Sequence, residues 1–149
     1  MDLLTDRIKE DMKAAMKGGD KARLGVIRLI LAAIKQVEVD ERIALDNERV
    51  ILVLDKMLKQ RRESIRQFTE AGRDDLVAIE EAEIPVIQDF LPQALTETEI
   101  DSMISSAVTE SGATSVKDMG QVMALLKTQM QGRADMAVVS AKIKAALTG

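Results

Sequence analysis

The chain has 149 residues and a formal net charge of −4, from 21 basic and 25 acidic residues. It contains no His, Cys, Trp or Tyr and only two Phe. It therefore lacks the imidazole and thiolate groups of most acid–base, nucleophilic and zinc sites, and the aromatic surface on which single-stranded nucleic acids stack.

Hydropathy and charge also predict the location of the protein and the partners that it can have. The longest apolar run, Leu29 to Ile34, is far shorter than the roughly 20 residues of a membrane span. Charged residues throughout the first turns argue against a signal peptide. We therefore expect a cytoplasmic protein with no membrane partner, and the acidic balance gives no reason to expect DNA as a partner.

Two helices are predicted in the first forty residues. The first runs from Leu3 to Lys17 and ends at Gly18 and Gly19, and Asp20 caps the second. The second helix is expected to be apolar on two opposite faces, which predicts that it is covered on both sides. These faces are Leu24, Ile27, Leu31, Ile34 and Val26, Ile30, Ala33, Val37. Its remaining polar line is basic and comprises Lys21, Arg28 and Lys35, with Arg23 beside it.

A third helix from Asp46 to Ala71 and a fourth from about Asp74 are predicted to fold back on each other about Gly72. Their apolar residues share a three-four rhythm, so they match in opposed pairs. The pairs are Phe68 with Leu76, Ile65 with Ile79, Leu58 with Val86 and Leu54 with Phe90. In this register Arg61 meets Glu83, and we expect a structural ion pair there.

The C-terminal part is predicted to hold three helices. Thr96 and Glu99 form a capping box that opens a helix reaching about Glu110. Two amphipathic helices follow between Ser115 and Leu147, joined by a turn in which Gly132 ends one helix and Asp135 caps the next. The expected fold is all-α, with a four-helix N-terminal lobe over residues 1–92 and a small three-helix C-terminal lobe over residues 93–149.

Several short segments resemble the YqeY-like family, which is similar to the tail domain of the B subunit of glutamine-dependent tRNA amidotransferase. The strongest segments lie in the C-terminal lobe: Lys117-Asp118-Met119-Gly120, Val122-Met123, Gly132-Arg133-Ala134-Asp135 and Val139-Ser140. Earlier segments agree in order, among them Glu10 to Lys17, Val26-Ile27-Arg28, Lys59 to Ser64, Ala71-Gly72-Arg73 and Phe90-Leu91-Pro92.

The resemblance implies a bacterial helical module without independent catalytic activity, and it names no cofactor, metal or catalytic residue. It implies tRNA as a partner, together with components of the amidotransferase or of an aminoacyl-tRNA synthetase. In the C-terminal lobe, Lys117, Lys127 and Arg133 are the candidate RNA-binding residues. Gln121 and Gln129 stand where basic residues are common in the family.

A second basic group lies on the third helix, where Lys59, Arg62 and Arg66 share one face. A phosphate backbone is one partner for such a stripe. The alternative is pairing within the helix, of Lys59 with Asp55 and of Arg66 with Glu63 and Glu70, which follows from three- and four-residue spacing. We expect the intrahelical pairing.

Two other functions remain open from the sequence. The family label of carbon–nitrogen ligase with glutamine as amide donor is one, although the chain is too short to hold the parts that such a reaction requires. The other is a protein adaptor, which would bind through the second helix or through the methionines of the last two helices.

Overall fold

The structure is a computed structural model that describes residues 3–148. It is all-α, and no strand occurs within this range. The seven α-helices are α1 (Leu4–Gly18), α2 (Lys21–Glu41), α3 (Asn47–Glu70), α4 (Asp74–Gln88), α5 (Glu97–Ser111), α6 (Met119–Met130) and α7 (Met136–Thr148). A short 3-10 turn, Val116–Asp118, precedes α6. No described helix is both long enough and apolar enough to cross a bilayer.

Contacts between Cα atoms divide the chain into two compact units, Met1–Leu91 and Pro92–Gly149. In the first unit the predicted N-terminal caps are present. Asp20 accepts a hydrogen bond from the Arg23 backbone N–H at 3.1 Å, and Asp46 accepts one from Arg49 at 2.9 Å. Such bonds satisfy N–H groups that a helix leaves without intrahelical partners.

The core of the first unit consists of aliphatic side chains from α1 to α4, closed by Phe90. Its fully buried members include Ile8, Ile27, Leu54 and Ile87. The helices α3 and α4 form the most extensive pairing, as their matched rhythms predict. One predicted pair is wrong: Ile79 is 58% exposed and so cannot belong to a buried seam with Ile65.

The second helix also differs from its prediction. Its two apolar faces are adjacent, so they form a single buried half that contains Val26, Ile27, Ile30 and Ile34. The opposite half of α2 is open to solvent along its whole length. The helix is therefore covered on one side, because the two arcs of apolar residues merge on a helical projection instead of standing opposite each other.

The second unit is built from α5, α6 and α7 around a separate aliphatic and methionine core. Val122, Met130, Val139 and Ile143 are fully buried within it. The capping box of α5 is formed as predicted, with Thr96 and Glu99 bonded reciprocally at 3.0 and 3.1 Å. Gly112 ends α5 with φ of 71°, a left-handed conformation that glycine adopts without strain.

Candidate functional site

Lys117 lies in the 3-10 turn that precedes α6, Lys127 lies in the last turn of α6, and both are exposed. Within residues 3–148 neither lysine belongs to an ion pair. Gly120 and Ala124 lie between them at three- and four-residue steps, and both are exposed. A Cβ placed on Gly120 would meet no atom within 4 Å. Two free cations therefore border a surface of small residues that an extended ligand backbone can approach closely.

Arg133 is placed differently from the sequence prediction, which treated it as an exposed cation. It is half-buried, and its Nε donates to the carbonyl oxygen of Gln93 at 3.0 Å. Its own carbonyl accepts the N–H of Leu95 at 2.8 Å. Arg133 thus fastens the segment before α5 to the turn between α6 and α7. Sequence reasoning missed this role because its partners are backbone atoms about forty residues away.

The turn itself follows the sequence. Gly132 has φ of 77°, which is the left-handed conformation expected at the end of a helix. Asp135 precedes α7, and its Oδ1 accepts the N–H of Ala137 at 3.0 Å. Both residues hold the α6–α7 hairpin, and through it they fix the position of Arg133.

Two of the three basic candidates on α3, Lys59 and Arg66, are engaged within their own helix. Lys59 Nζ lies 3.6 Å from a carboxylate oxygen of the buried Asp55. Arg66 pairs with Glu63 and also with Glu70, at 3.1 Å. Arg62 is half-buried. The structure therefore brings these three cations together on one helix, and it places acidic partners beside Lys59 and Arg66, which lowers their attraction for phosphates.

The pair expected between α3 and α4 is present. Arg61 Nε lies 3.6 Å from Glu83 Oε1, and the two side chains are 14% and 20% exposed. At this distance the contact is an ion pair, and Arg61 Nε has no hydrogen-bond partner among residues 3–148. The pair stands in the otherwise apolar contact of two helices, so its role is structural.

A cluster of charged residues that the sequence did not predict lies between α1, α2 and the residues after α4. Arg23 binds Asp11 on α1 and also Asp89, whose carboxylate oxygen lies 2.7 Å from its Nη1. These hydrogen bonds, that to Asp89 first, raise the pKa of Arg23 above its ordinary value. Arg7 donates to the carbonyl oxygen of Asp89 at 2.9 Å. The guanidinium carbons of both arginines lie within 6 Å of the Phe90 ring centre, at 5.7 and 5.6 Å.

This cluster borders a cavity of about 490 Å³, but its charges are already matched. Each arginine faces a carboxylate or a carbonyl oxygen, and the ring of Phe90 supplies a further favourable contact for both. The arrangement joins α1, α2 and the residues after α4. We therefore assign it to the stability of the first unit.

In the second unit, most acidic side chains also form ion pairs or accept hydrogen bonds. Lys142 on α7 donates to Asp101 at 2.8 Å and to Glu97 at 3.3 Å, which ties α7 to α5 and raises the pKa of Lys142. The carboxylate of Asp118 accepts the N–H groups of Thr114 and Ser115. Lys144, which sequence reasoning did not single out, is exposed and joins no ion pair within the described range.

No group of three or more acidic residues within residues 3–148 is arranged to hold a metal ion. The acidic residues of α4 instead lie along its exposed face or pair with arginines, as Asp75 does with Arg73 at 3.0 Å.

Comparisons with known proteins confirm the family resemblance that the sequence motifs predict. The family model described as Yqey-like protein matches residues 5–147. A relative from Lachancea thermotolerans is 38% identical over 106 residues, which cover 69% of this chain and 57% of that protein. A relative from Pyrenophora tritici-repentis is 32% identical over 141 residues, which cover 93% and 77%. A third, from Eremothecium gossypii, is 41% identical over 85 residues and covers 56% and 46%.

All three relatives carry the name altered inheritance of mitochondria protein 41, mitochondrial. Two expectations from the sequence are corrected by this finding. The relatives are fungal, which conflicts with a bacterial source, and their mitochondrial names contradict the expectation of a cytoplasmic protein. The chain spans less than two thirds of the length of the first and third relatives.

Proposed function

The chain belongs to the YqeY-like family, and from that premise we propose that it is a non-catalytic module that binds folded tRNA through the outer face of α6. The observation that carries the proposal is that Lys117 and Lys127, on either side of Gly120 and Ala124, are exposed and form no ion pair with any residue of the described range 3–148. Following the names of its relatives, we place this function in mitochondria.

Charge and shape together support contact with a phosphate backbone. At about 1.5 Å of rise per residue in α6, and slightly more in the 3-10 turn before it, the backbones of Lys117 and Lys127 are separated by roughly 15 Å along the helix direction. Small residues between them leave room for the ribose–phosphate chain. The aliphatic composition offers no stacking surface for bases, so the proposed contact recognises the backbone and shape of the RNA.

The proposed affinity is weak because the second unit has only five basic residues, and two of these have other tasks. Lys142 binds Glu97 and Asp101, and Arg133 holds the segment around Gln93. Arg133 remains a candidate for contact through the rest of its guanidinium. Lys59, Arg62 and Arg66 of α3 contribute less to the proposal, since acidic residues of the same helix accompany Lys59 and Arg66.

The test is tRNA binding by the full chain as a function of salt. With one phosphate contact each, the two lysines should contribute roughly −1.4 to −1.8 to the slope of log affinity against log salt, and Lys117→Ala/Lys127→Ala should remove that contribution. The control Lys9→Ala/Lys56→Ala removes the same charge from exposed lysines of α1 and α3 and should leave the slope unchanged. Equal slopes for both double variants would reject the α6 face as the binding site.

We also propose that the four helices of the first unit and the three of the second form separately folding lobes. Support comes from the two cores, which share no residue. The amidotransferase reaction is not part of the proposed function.

A further inference from the structure

The open half of α2 has the pattern of one side of a helix–helix interface. Six residues follow one another at alternating steps of three and four along its solvent face, and all six are exposed. They are Ala22, Gly25, Leu29, Ala32, Gln36 and Val39. This is the spacing of the seam positions of a coiled coil, and small residues at such positions allow a second helix to approach closely. We call these six residues the α2 seam.

The apolar members of the α2 seam are strongly exposed for their type. Leu29 is 47% and Val39 59% accessible. An isolated apolar side chain on a surface is ordinary, but these two share a helical face with three small residues, Ala22, Gly25 and Ala32. Gln36 is the one polar member of the seam. Such a face can be covered closely by a second helix. Near its N-terminal end the seam adjoins a groove of about 450 Å³ between α2 and α4, to which Ala22 and the exposed Ile79 contribute.

The charges beside the α2 seam define its partner. Lys21, Arg28 and Lys35 each precede a seam position by one residue, which is where coiled coils carry the charges that choose a partner. All three are exposed, and none belongs to an ion pair within residues 3–148. No acidic residue interrupts the helix between Asp20 and Glu38. We propose that the α2 seam docks an amphipathic helix of a partner protein, with an apolar stripe flanked by Glu or Asp.

This occupant fits better than the alternatives. Two α2 seams packed antiparallel would place Lys21, Arg28 and Lys35 against the same cations of the other copy, which is unfavourable. Packed in parallel, they would offer only Lys35 an acidic partner, Asp40. The acidic helix α4 of a second copy carries Pro85 in its exposed row and has no matching seam. RNA would use the three cations, but a phosphate backbone gains nothing from Leu29 and Val39. The α2 seam is distinct from the α6 face, so this interaction does not depend on the proposed tRNA contact.

The experiment uses the full chain and two three-heptad peptides with Leu and Ala at the seam positions. One peptide has Glu at the flanking positions and its twin has Lys. We expect the Glu peptide to bind the wild type and the Lys peptide to bind at least about tenfold more weakly, because three flanking pairs change from attraction to repulsion. The reversal Lys21→Glu/Arg28→Glu/Lys35→Glu should invert this preference.

Two further variants test whether the effect depends on the position of the charges and on the apolar residues of the α2 seam. Lys9→Glu/Lys17→Glu/Lys56→Glu imposes the same charge change on exposed residues outside α2 and should leave peptide binding within about twofold of wild type. Leu29→Gln/Ala32→Gln keeps every charge and should weaken the Glu peptide by about tenfold while leaving tRNA binding unchanged. Circular dichroism establishes that each variant retains its helices.

Three outcomes would overturn the proposal. The first is equal binding of both peptides. The second is a reversal variant that loses tRNA or phosphatidylserine vesicle binding without changing peptide preference, which would make the basic row a site for phosphate groups. The third is self-association of the wild type in sedimentation that the reversal abolishes, which would make a second copy the occupant.

Discussion

At the scale of single residues, the ion pair of Arg61 and Glu83 adds little stability to the packing of α3 against α4. Both side chains stand where the rhythm of the two helices otherwise places apolar residues, and their exposure is 14% and 20%. The ion pair is not completed by a hydrogen bond from Nε. Removing water from the two charges therefore offsets much of the attraction between them.

We expect Arg61→Leu or Glu83→Leu alone to lower the free energy of unfolding by about 1–3 kcal/mol, because each leaves a half-buried charge without its partner. The double variant should recover most of that loss and come within about 1 kcal/mol of the wild type. Urea unfolding of the four proteins measures these differences as a double-mutant cycle. Losses that simply add would mean that the two charges do not interact.

The pairings within α3 could be predicted from sequence, and so could Arg61 with Glu83, which follows from the matched rhythm of α3 and α4. The other contacts between distant parts of the chain could not. The pairs of Lys59 and Arg66 follow from spacings of three and four residues on one helix, and they are present. The contacts of Arg23 with Asp89 and of Arg133 with Gln93 span 66 and 40 residues. Spacing within a helix carries no information about such contacts, so Arg133 was assigned to the surface.

At the scale of helices, the capping box at the start of α5 lowers the pKa of the Glu99 carboxyl. The Thr96 backbone N–H donates to Glu99 Oε1 at 3.0 Å, and this hydrogen bond is the main reason that the pKa of Glu99 is lowered. A carboxyl whose pKa is lower in the folded state stabilises the fold at pH values above its unfolded pKa. That contribution is lost as the pH falls through the folded pKa.

Thr96→Ala is expected to cost about 1 kcal/mol of stability at neutral pH, since it removes the hydroxyl that accepts the Glu99 N–H at 3.1 Å. The pKa of Glu99 should rise toward its ordinary value, because the Thr96 side chain also helps to lower it. Titration of the Glu99 carboxyl carbon by NMR and urea unfolding at neutral pH measure both effects. Thr98→Ala, in the exposed first turn of the same helix, is the control and should change neither quantity.

The helices themselves show where hydrophobic periodicity is sufficient and where it fails. Helix ends at Asp20, Asp46, Thr96 and Gly112 follow from their capping chemistry and agree with the structure. The buried face of α2 was predicted wrongly because its two apolar arcs were taken as opposite, although a helical projection places them side by side. The error at Ile79 has another cause, since periodicity gives the direction of an apolar residue but not the presence of a neighbour that covers it.

At the scale of the whole molecule, the two units differ in what they need in order to fold. The first has four helices around a core closed by Phe90, and the second has three shorter helices. We expect residues 1–92 alone to stay helical and to unfold cooperatively, and residues 93–149 alone to be less stable, because so small a piece buries less of its surface. Circular dichroism during urea unfolding of both fragments tests this. A disordered 1–92 fragment would mean that both units depend on one common core.

The methionines are expected to make the second unit more sensitive to oxidation than the first. Met130 and Met136 are buried in its core, and the half-buried Met103, Met119 and Met123 pack around them, so this unit holds five of the nine methionines of the chain. Peroxide converts a thioether to a polar sulfoxide, which such a core cannot accommodate without loosening. The core of the first unit contains the buried Met57 and the half-buried Met12. Oxidative stress is therefore expected to loosen the α6–α7 hairpin more than the first unit, and methionine sulfoxide reductases would reverse the damage.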